Sequence, residues 1–317
     1  MTDHKPYVRE DVKALLALLE QMGGPEMDEV PIEEARGAYL AMVELAEAEP
    51  RKLAVIRDLT CPGPAGDVPL RFYDARESRN PGPLVMFYHG GGFTIGDLDT
   101  HHAICTELAA LLDLPLVAVD YRMGPEYPFP AAVDDCVAAT RWVAGNGAEL
   151  GREITGLVTT GDSAGGNLAI VVPQVLIDEP AALPVLVQAP IYPIASEIEE
   201  TGSYKAFGDG YLLTARGMTF FDNCYAGDRS DPRCYPLLRG DLSATPPTVL
   251  LTAGLDPLRD SGRDYAARLI EAGVDVSYME MAGIVHGFVH LRKAIPSAQR
   301  DVENFAAAVT AMLARHN

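Results

Sequence analysis

Positive charge is scarce in this sequence. Its 317 residues carry 25 lysines and arginines against 45 aspartates and glutamates, a formal charge of −20. A surface this acidic repels the phosphate backbone of nucleic acids and anionic membrane surfaces, so neither is expected as a partner. Long apolar runs are also missing. The longest, L-A-I-V-V-P-Q-V-L-I, is interrupted by Pro173 and Gln174 and falls short of the roughly 20 residues needed to cross a bilayer. Cysteine is sparse: Cys61, Cys105, Cys136, Cys224 and Cys234 form no C-x-x-C pair and no zinc-ligand spacing. Their odd number points to free thiols in a reducing compartment, and no metal is expected. The polar start M-T-D-H-K-P-Y lacks the apolar stretch of a secretory signal. These absences together predict a cytoplasmic protein.

What is present suffices for a large buried core, since 48% of the residues are apolar. Residues 10–22 place Val12, Leu15, Leu16 and Leu19 on one helical face, and a second helix is predicted from Ile32 to Ala48. From Leu53 the pattern changes. L-A-V-I-R-D-L-T and V-P-L-R-F-Y-D read as strands around the turn P-G-P-A-G-D. From residue 83 short apolar strands alternate with helices, the signature of a mainly parallel central sheet flanked by helices, an α/β fold. The final strand is read as V-D-V-S-Y-M-E and the final helix as 297–314. One stretch breaks the alternation, roughly Ala195 to Cys224, and is too long for an ordinary connection. The expected division is residues 1–50 as N-terminal helices of a cap, 195–224 as an inserted cap segment, and 51–194 with 225–317 as the catalytic domain.

The stretch G-D-S-A-G-G, 161–166, lies between the apolar run I-T-G-L-V-T-T and the helical run that follows. Gly161 and Gly165 flank Ser163 as in G-x-S-x-G, where a sharp strand-to-helix turn lifts a serine hydroxyl beyond the sheet. A glycine-rich turn with a capping serine is the plainer reading. In the catalytic reading the amide of Ala164 opens a helix, where developing negative charge is stabilised. A second element, F-Y-H-G-G-G-F at 87–93, follows a strand and can turn its amides inward, which makes Gly91 and Gly92 the expected oxyanion-hole donors beside Ala164. A phosphate loop would need a lysine after the glycines, and none follows. His89 is expected to anchor the loop.

A serine needs a base, and the base an orienting acid. Three histidines follow Ser163. His316 is penultimate and expected to fray. His286 lies just past the last strand, with His290 four residues on as the alternative base. For the acid, T-V-L-L-T-A-G-L-D-P-L-R-D offers Asp256 just past a strand and Asp260 one turn into a helix. Asp256 and His286 are the better placed, because both sit where strand ends converge.

Taken together, H-G-G-G-F (89–93), Y-R-M-G-P-E-Y-P-F-P-A-A-V-D-D (121–135), G-D-S-A-G-G-N (161–167), D-P-L-R-D (256–260) and H-G-F (286–288) resemble the bacterial hormone-sensitive-lipase-like family of α/β-hydrolase esterases over about residues 55–315. Met123 and Gly124 depart from the leucine and alanine usual in that family. The resemblance implies a catalytic triad of Ser163, Asp256 and His286, oxyanion donors Gly91, Gly92 and Ala164, and a cap built from the N-terminal helices and the inserted segment. It also implies hydrolysis of short-chain carboxylic esters without a cofactor, and dimerisation, which is common in the family. Asp162 is expected to be a local hydrogen-bond partner, and Glu126 and Asp134 to anchor the 121–135 tract. Phe93, Tyr192, Phe207, Tyr211 and Leu212 are candidates for an apolar substrate pocket, with ordinary packing as the alternative. Two rival functions remain at this level: a ligand-binding relative without turnover, and an acyltransferase or amidase using the same triad.

Overall fold

Eight strands form one sheet in the computed structural model, which describes residues 6–316: β1 (Val55–Gly63), β2 (Gly66–Asp74), β3 (Gly82–Tyr88), β4 (Leu116–Val119), β5 (Ile154–Asp162), β6 (Val185–Ile191), β7 (Thr248–Leu255) and β8 (Val276–Val285). Their order is β1-β2-β4-β3-β5-β6-β7-β8. The β1–β2 hairpin and the β2–β4 pair are antiparallel, and every pairing from β4 through β8 is parallel. β3, β4 and β7 read as unbroken apolar runs because both faces of a parallel sheet are covered.

Two helical layers provide that cover. On one face α3 (His102–Leu112) and α9 (Ala298–His316) bring Ile104, Leu108, Phe305 and Val309 against Val85 and Phe87 of β3. On the other, α4 (Ala131–Gly145) and α5 (Ala164–Asp178) bring Val133, Ala139, Leu168 and Val172 against Leu84, Met86 and Tyr88. Alternate residues of β3 thus enter opposite layers, as a period of two requires. Each such buried aliphatic or aromatic side chain contributes roughly 1.5–3 kcal/mol by leaving water. α8 (Arg259–Glu271) packs beside β7 through Tyr265, Leu269 and Leu250.

α5 continues through Pro173, the residue that interrupts the apolar run in the sequence. A proline inside a helix leaves the carbonyl four residues back without its usual donor. Here that carbonyl belongs to Ala169, and the hydroxyl of Thr159 on β5 donates to it at 2.8 Å. The helix behind the serine turn is therefore tied to the strand in front of it.

β8 runs five residues beyond Glu280, to Val285, because pairing resumes between Leu255 and Val285 after an irregularity at Ala253 to Leu255. His316, expected to fray, lies in α9 with its Nε2 2.8 Å from Asp275 Oδ2.

The segments outside the alternating pattern are helical: α1 (Glu10–Met22), α2 (Ile32–Ala46), α6 (Gly202–Phe207) and α7 (Ala215–Tyr225). Ion pairs fasten them. Glu47, at the end of α2, is buried against Arg292, whose amide and guanidinium both donate to it. Arg36 of α2 grips Glu126 with two bonds of 2.9 and 2.8 Å. Arg216 of α7 reaches Asp28 and Glu29 of the turn between α1 and α2. Among the described residues no helix is long and apolar enough to cross a membrane.

Candidate active site

Ser163 sits between β5 and α5 with φ 56° and ψ −114°, a backbone conformation that residues other than glycine rarely adopt. The turn is held by its neighbours. A Cβ built on Gly165 would lie 1.9 Å from the carbonyl oxygen of Tyr88, so only glycine lets α5 start this close to β3. The amide of Ser163 donates to Ile191 O at 2.9 Å, and its carbonyl accepts from Asn167.

Three side chains from distant parts of the chain meet there. Nε2 of His286 is 2.8 Å from Ser163 Oγ, and Nδ1 of His286 is 2.7 Å from Asp256 Oδ2. The second oxygen of Asp256 accepts the amide of Leu258 at 2.7 Å. Asp256 is fully buried, and an ionised carboxylate only accepts, so His286 carries its proton on Nδ1 and turns the Nε2 lone pair to the serine hydroxyl. The ring of Tyr192 lies 4.5 Å from the imidazole and backs it. This alignment can take a proton from the hydroxyl and hold the resulting imidazolium.

Beside the serine runs the glycine turn after β3. Gly91 and Gly92 have φ of 111° and 59°. Their amides and that of Ala164 have no acceptor among the described residues, while Gly91 O is bonded by the amides of Thr94 and Ile95. Such free donors next to a nucleophile suit an oxygen that gains negative charge. His89 fixes the turn from behind. Its Nδ1 donates to Gly90 O at 2.8 Å, its ring stacks on Tyr121 at 4.1 Å, and Tyr121 donates its hydroxyl proton to His89 O at 2.6 Å. Burial, reinforced by His101, lowers the His89 pKa to about 4, so this ring is neutral.

A cavity of about 350 Å³ opens over Ser163. Of the pocket candidates, Phe93 and Leu212 line it. Tyr192, Phe207 and Tyr211 do not: Tyr192 packs behind His286, and Phe207 and Tyr211 pack edge to face at 5.3 Å in the inserted segment. Wall residues absent from the sequence reading include Tyr39 and Met42 of α2 and Met218 and Phe221 of α7. No motif marks them, because helices that cross in space leave no spacing in sequence. Asp260, the rejected acid, accepts the amide of Ser203 at 2.8 Å and so anchors the inserted segment. In the 121–135 tract the buried anchor is Asp135, which takes both the amide and the guanidinium of Arg122, whereas Asp134 stays half-exposed. Gly124, a departure from the family pattern, faces the end of α7: a Cβ there would meet Cys224 O at 2.2 Å.

Asp162 is a further buried group whose bonding reaches well beyond its own turn. Burial alone would raise its carboxyl, yet the neighbouring imidazole of His290 holds it well below the usual carboxylate range. His101, at the start of α3 in the run D-T-H-H, went unread in the sequence.

Comparison with known proteins places this geometry among relatives. A model of the alpha/beta hydrolase fold family matches residues 85–290. The chain is 40% identical over 266 residues to carboxylic ester hydrolase LipN of Mycobacterium tuberculosis, covering 81% of this chain and 70% of that one. It is 36% identical over 220 residues to the ethyl acetate hydrolase of Pseudomonas putida, covering 68% and 69%. Among solved structures, an ester hydrolase from the Lake Arreo metagenome superposes with a TM-score of 0.91 at 37% identity, over 96% of this chain and 98% of that one. A thermostable esterase from Pseudomonas putida ECU1011 superposes with a TM-score of 0.92 at 29% identity, over 98% and 99%.

Proposed function

The chain belongs to the hormone-sensitive-lipase-like family of α/β-hydrolases, and from that premise we propose that it is a carboxylesterase for short-chain acyl esters with Ser163, His286 and Asp256 as its triad. One observation carries the reading: an unbroken hydrogen-bond chain of 2.8 and 2.7 Å ends on a serine beside three amides that have no acceptor among the described residues.

Ser163 Oγ attacks the ester carbonyl as His286 Nε2 takes its proton. Asp256 keeps the imidazole in the tautomer this needs and stabilises the imidazolium. The carbonyl oxygen, now negative, rests on the amides of Gly91, Gly92 and Ala164, which need no reorganisation to receive it. His286 then protonates the leaving alcohol. Water enters, gives its proton to the same nitrogen and frees the acid. These residues complete the cycle with their own groups.

The preference for short chains rests on the cavity. Its walls are mainly apolar, and α2 and α7 roof it, which supports the cap reading of residues 1–50 and 195–224. A volume of about 350 Å³ suits a small ester. Cys61, Cys105, Cys136, Cys224 and Cys234 are all unpaired, which supports a reducing cytoplasm.

The test is hydrolysis of p-nitrophenyl esters from acetate to laurate by the wild type and Ser163→Ala. We expect the fastest turnover between acetate and hexanoate, and a fall of at least about 10⁴-fold in kcat for the variant. Turnover surviving in Ser163→Ala would overturn the mechanism. Laurate as the best substrate would overturn the chain-length reading.

A further inference from the structure

Asp162 stands between Gly161 and Ser163 and is almost fully buried. Its two oxygens hold two different loops. Oδ1 accepts the amide of Gly90 at 2.9 Å, and Gly90 begins the turn that carries the amides of Gly91 and Gly92. Oδ2 lies 2.9 Å from Nε2 of His290, four residues after His286 on the loop that leaves β8. One carboxylate thus joins the serine turn, the oxyanion turn and the loop of the base.

His101 completes the group, and its proton can be placed. The amide of Gly90 donates to His101 Nε2 at 3.2 Å, so that nitrogen turns a lone pair to it and the ring proton sits on Nδ1, 2.9 Å from Thr100 Oγ1. His101 therefore has no proton to give Asp162, which lies 3.3 Å away. That leaves His290 as the side chain that donates to the carboxylate. Its Nδ1 has no partner among the described residues, and its imidazole packs edge to face on His101 at 4.2 Å.

Ligand atoms of His101, Asp162 and His290 lie within 4.8 Å of one another, a spacing that suits a metal ion. The amide hydrogen of Gly90 points at both His101 Nε2 and Asp162 Oδ1, however, and fills the place a cation would take.

We propose that His290 is a positioning residue for ester hydrolysis: by donating to Asp162 it locks the loop of His286 to the glycine turn that presents the oxyanion donors. The proposal rests on the esterase reading above. A buried carboxylate left with one oxygen unpaired seeks another donor. When Asp162 turns to find one, Gly90 loses the shorter of its two bonds and keeps only the 3.2 Å one to His101 Nε2, and the amides of Gly91 and Gly92 lose their aim. A shift of about 1 Å at such donors costs about 100-fold in rate. Substrate contacts in the cavity are left in place, so the loss falls on kcat.

The experiment uses the full chain with p-nitrophenyl butyrate and, as a mimic of the tetrahedral oxyanion, a trifluoromethyl ketone. His290→Leu removes the donor. His290→Gln retains one at the same reach, and His290→Asn carries the same amide one methylene shorter. We expect kcat of His290→Leu to fall about 100-fold with KM within about threefold, and affinity for the ketone to fall by a similar factor. His290→Gln should recover kcat to within about fivefold of wild type. Should the leucine variant fail to fold, the amide pair decides: glutamine is expected to exceed asparagine about tenfold in kcat. The proposal is overturned if folded His290→Leu keeps wild-type kcat, if its loss lies in KM, or if glutamine does no better than asparagine. An inactive wild type would instead overturn the esterase reading.

Discussion

The amide of Leu258 donates to Asp256 Oδ1 at 2.7 Å, while Oδ2 of the same carboxylate holds His286 at 2.7 Å. The first bond decides what a neutral replacement would do. In Asp256→Asn the backbone donor at Leu258 demands the carbonyl oxygen of the new amide. The NH2 group is then left facing His286 Nδ1, which must become an acceptor. The imidazole proton moves to Nε2 and confronts the hydroxyl of Ser163 with a donor instead of a lone pair. We expect kcat on p-nitrophenyl butyrate to fall about 10³- to 10⁴-fold with KM little changed and the fold intact. Steady-state kinetics with a thermal melt check this. A loss under tenfold would show that the amide does not flip the tautomer.

Phe221 of α7 lies over the glycine turn after β3: a Cβ built on Gly92 would sit 2.3 Å from its ring. The roof of the cavity therefore touches the turn proposed to present the oxyanion donors. Cutting the ring back in Phe221→Ala opens the wall without altering any backbone amide. The ratio of kcat/KM for octanoate over butyrate esters should rise about tenfold, the scale on which an apolar pocket discriminates chain length. An unchanged ratio would mean that acyl chains lie against another wall.

The sheet was legible because parallel strands buried on both faces leave apolar runs, as in L-V-A-V and T-V-L-L-T-A-G-L. Ser163 stood out because a strained turn needs glycines at fixed offsets, and Gly165 shows why, with no room for a side chain beside Tyr88 O. Asp256 and His286 could be picked by their place after strands. Tyr39, Met42 and Phe221 could not, since they reach the cavity only through the packing of α2 and α7 across the sheet's edge. The knot at Asp162 was hidden for a related reason. His101 and His290 are far apart in the chain and belong to no shared spacing, and only the fold brings their rings to 4.2 Å. Asp135 displaced Asp134 as anchor because, of the two adjacent carboxylates, the first remains half-exposed and the second takes Arg122.

The last prediction concerns acid. His89 is buried and stacked on Tyr121, and its Nε2 has no partner among the described residues. Burial first, and His101 second, lower its pKa to about 4 from an ordinary 6.5, against the opposing pull of Gly90 O and of Asp162. In the unfolded chain the same ring takes a proton near pH 6.5, so below that pH the unfolded state binds more protons than the folded one. Stability is then fully present above about pH 6.5 and is lost as pH falls toward about 4. At about 1.4 kcal/mol per pH unit this residue should cost the protein about 2 kcal/mol between pH 7 and pH 5. His89→Asn places an amide where Nδ1 was and keeps the bond to Gly90 O without a titrating group. Urea unfolding at the two pH values should show the variant losing about 2 kcal/mol less than the wild type over this interval, with m unchanged. Equal losses in the two proteins would mean that His89 already carries its proton in the folded state, and that the oxyanion turn tolerates an imidazolium behind it.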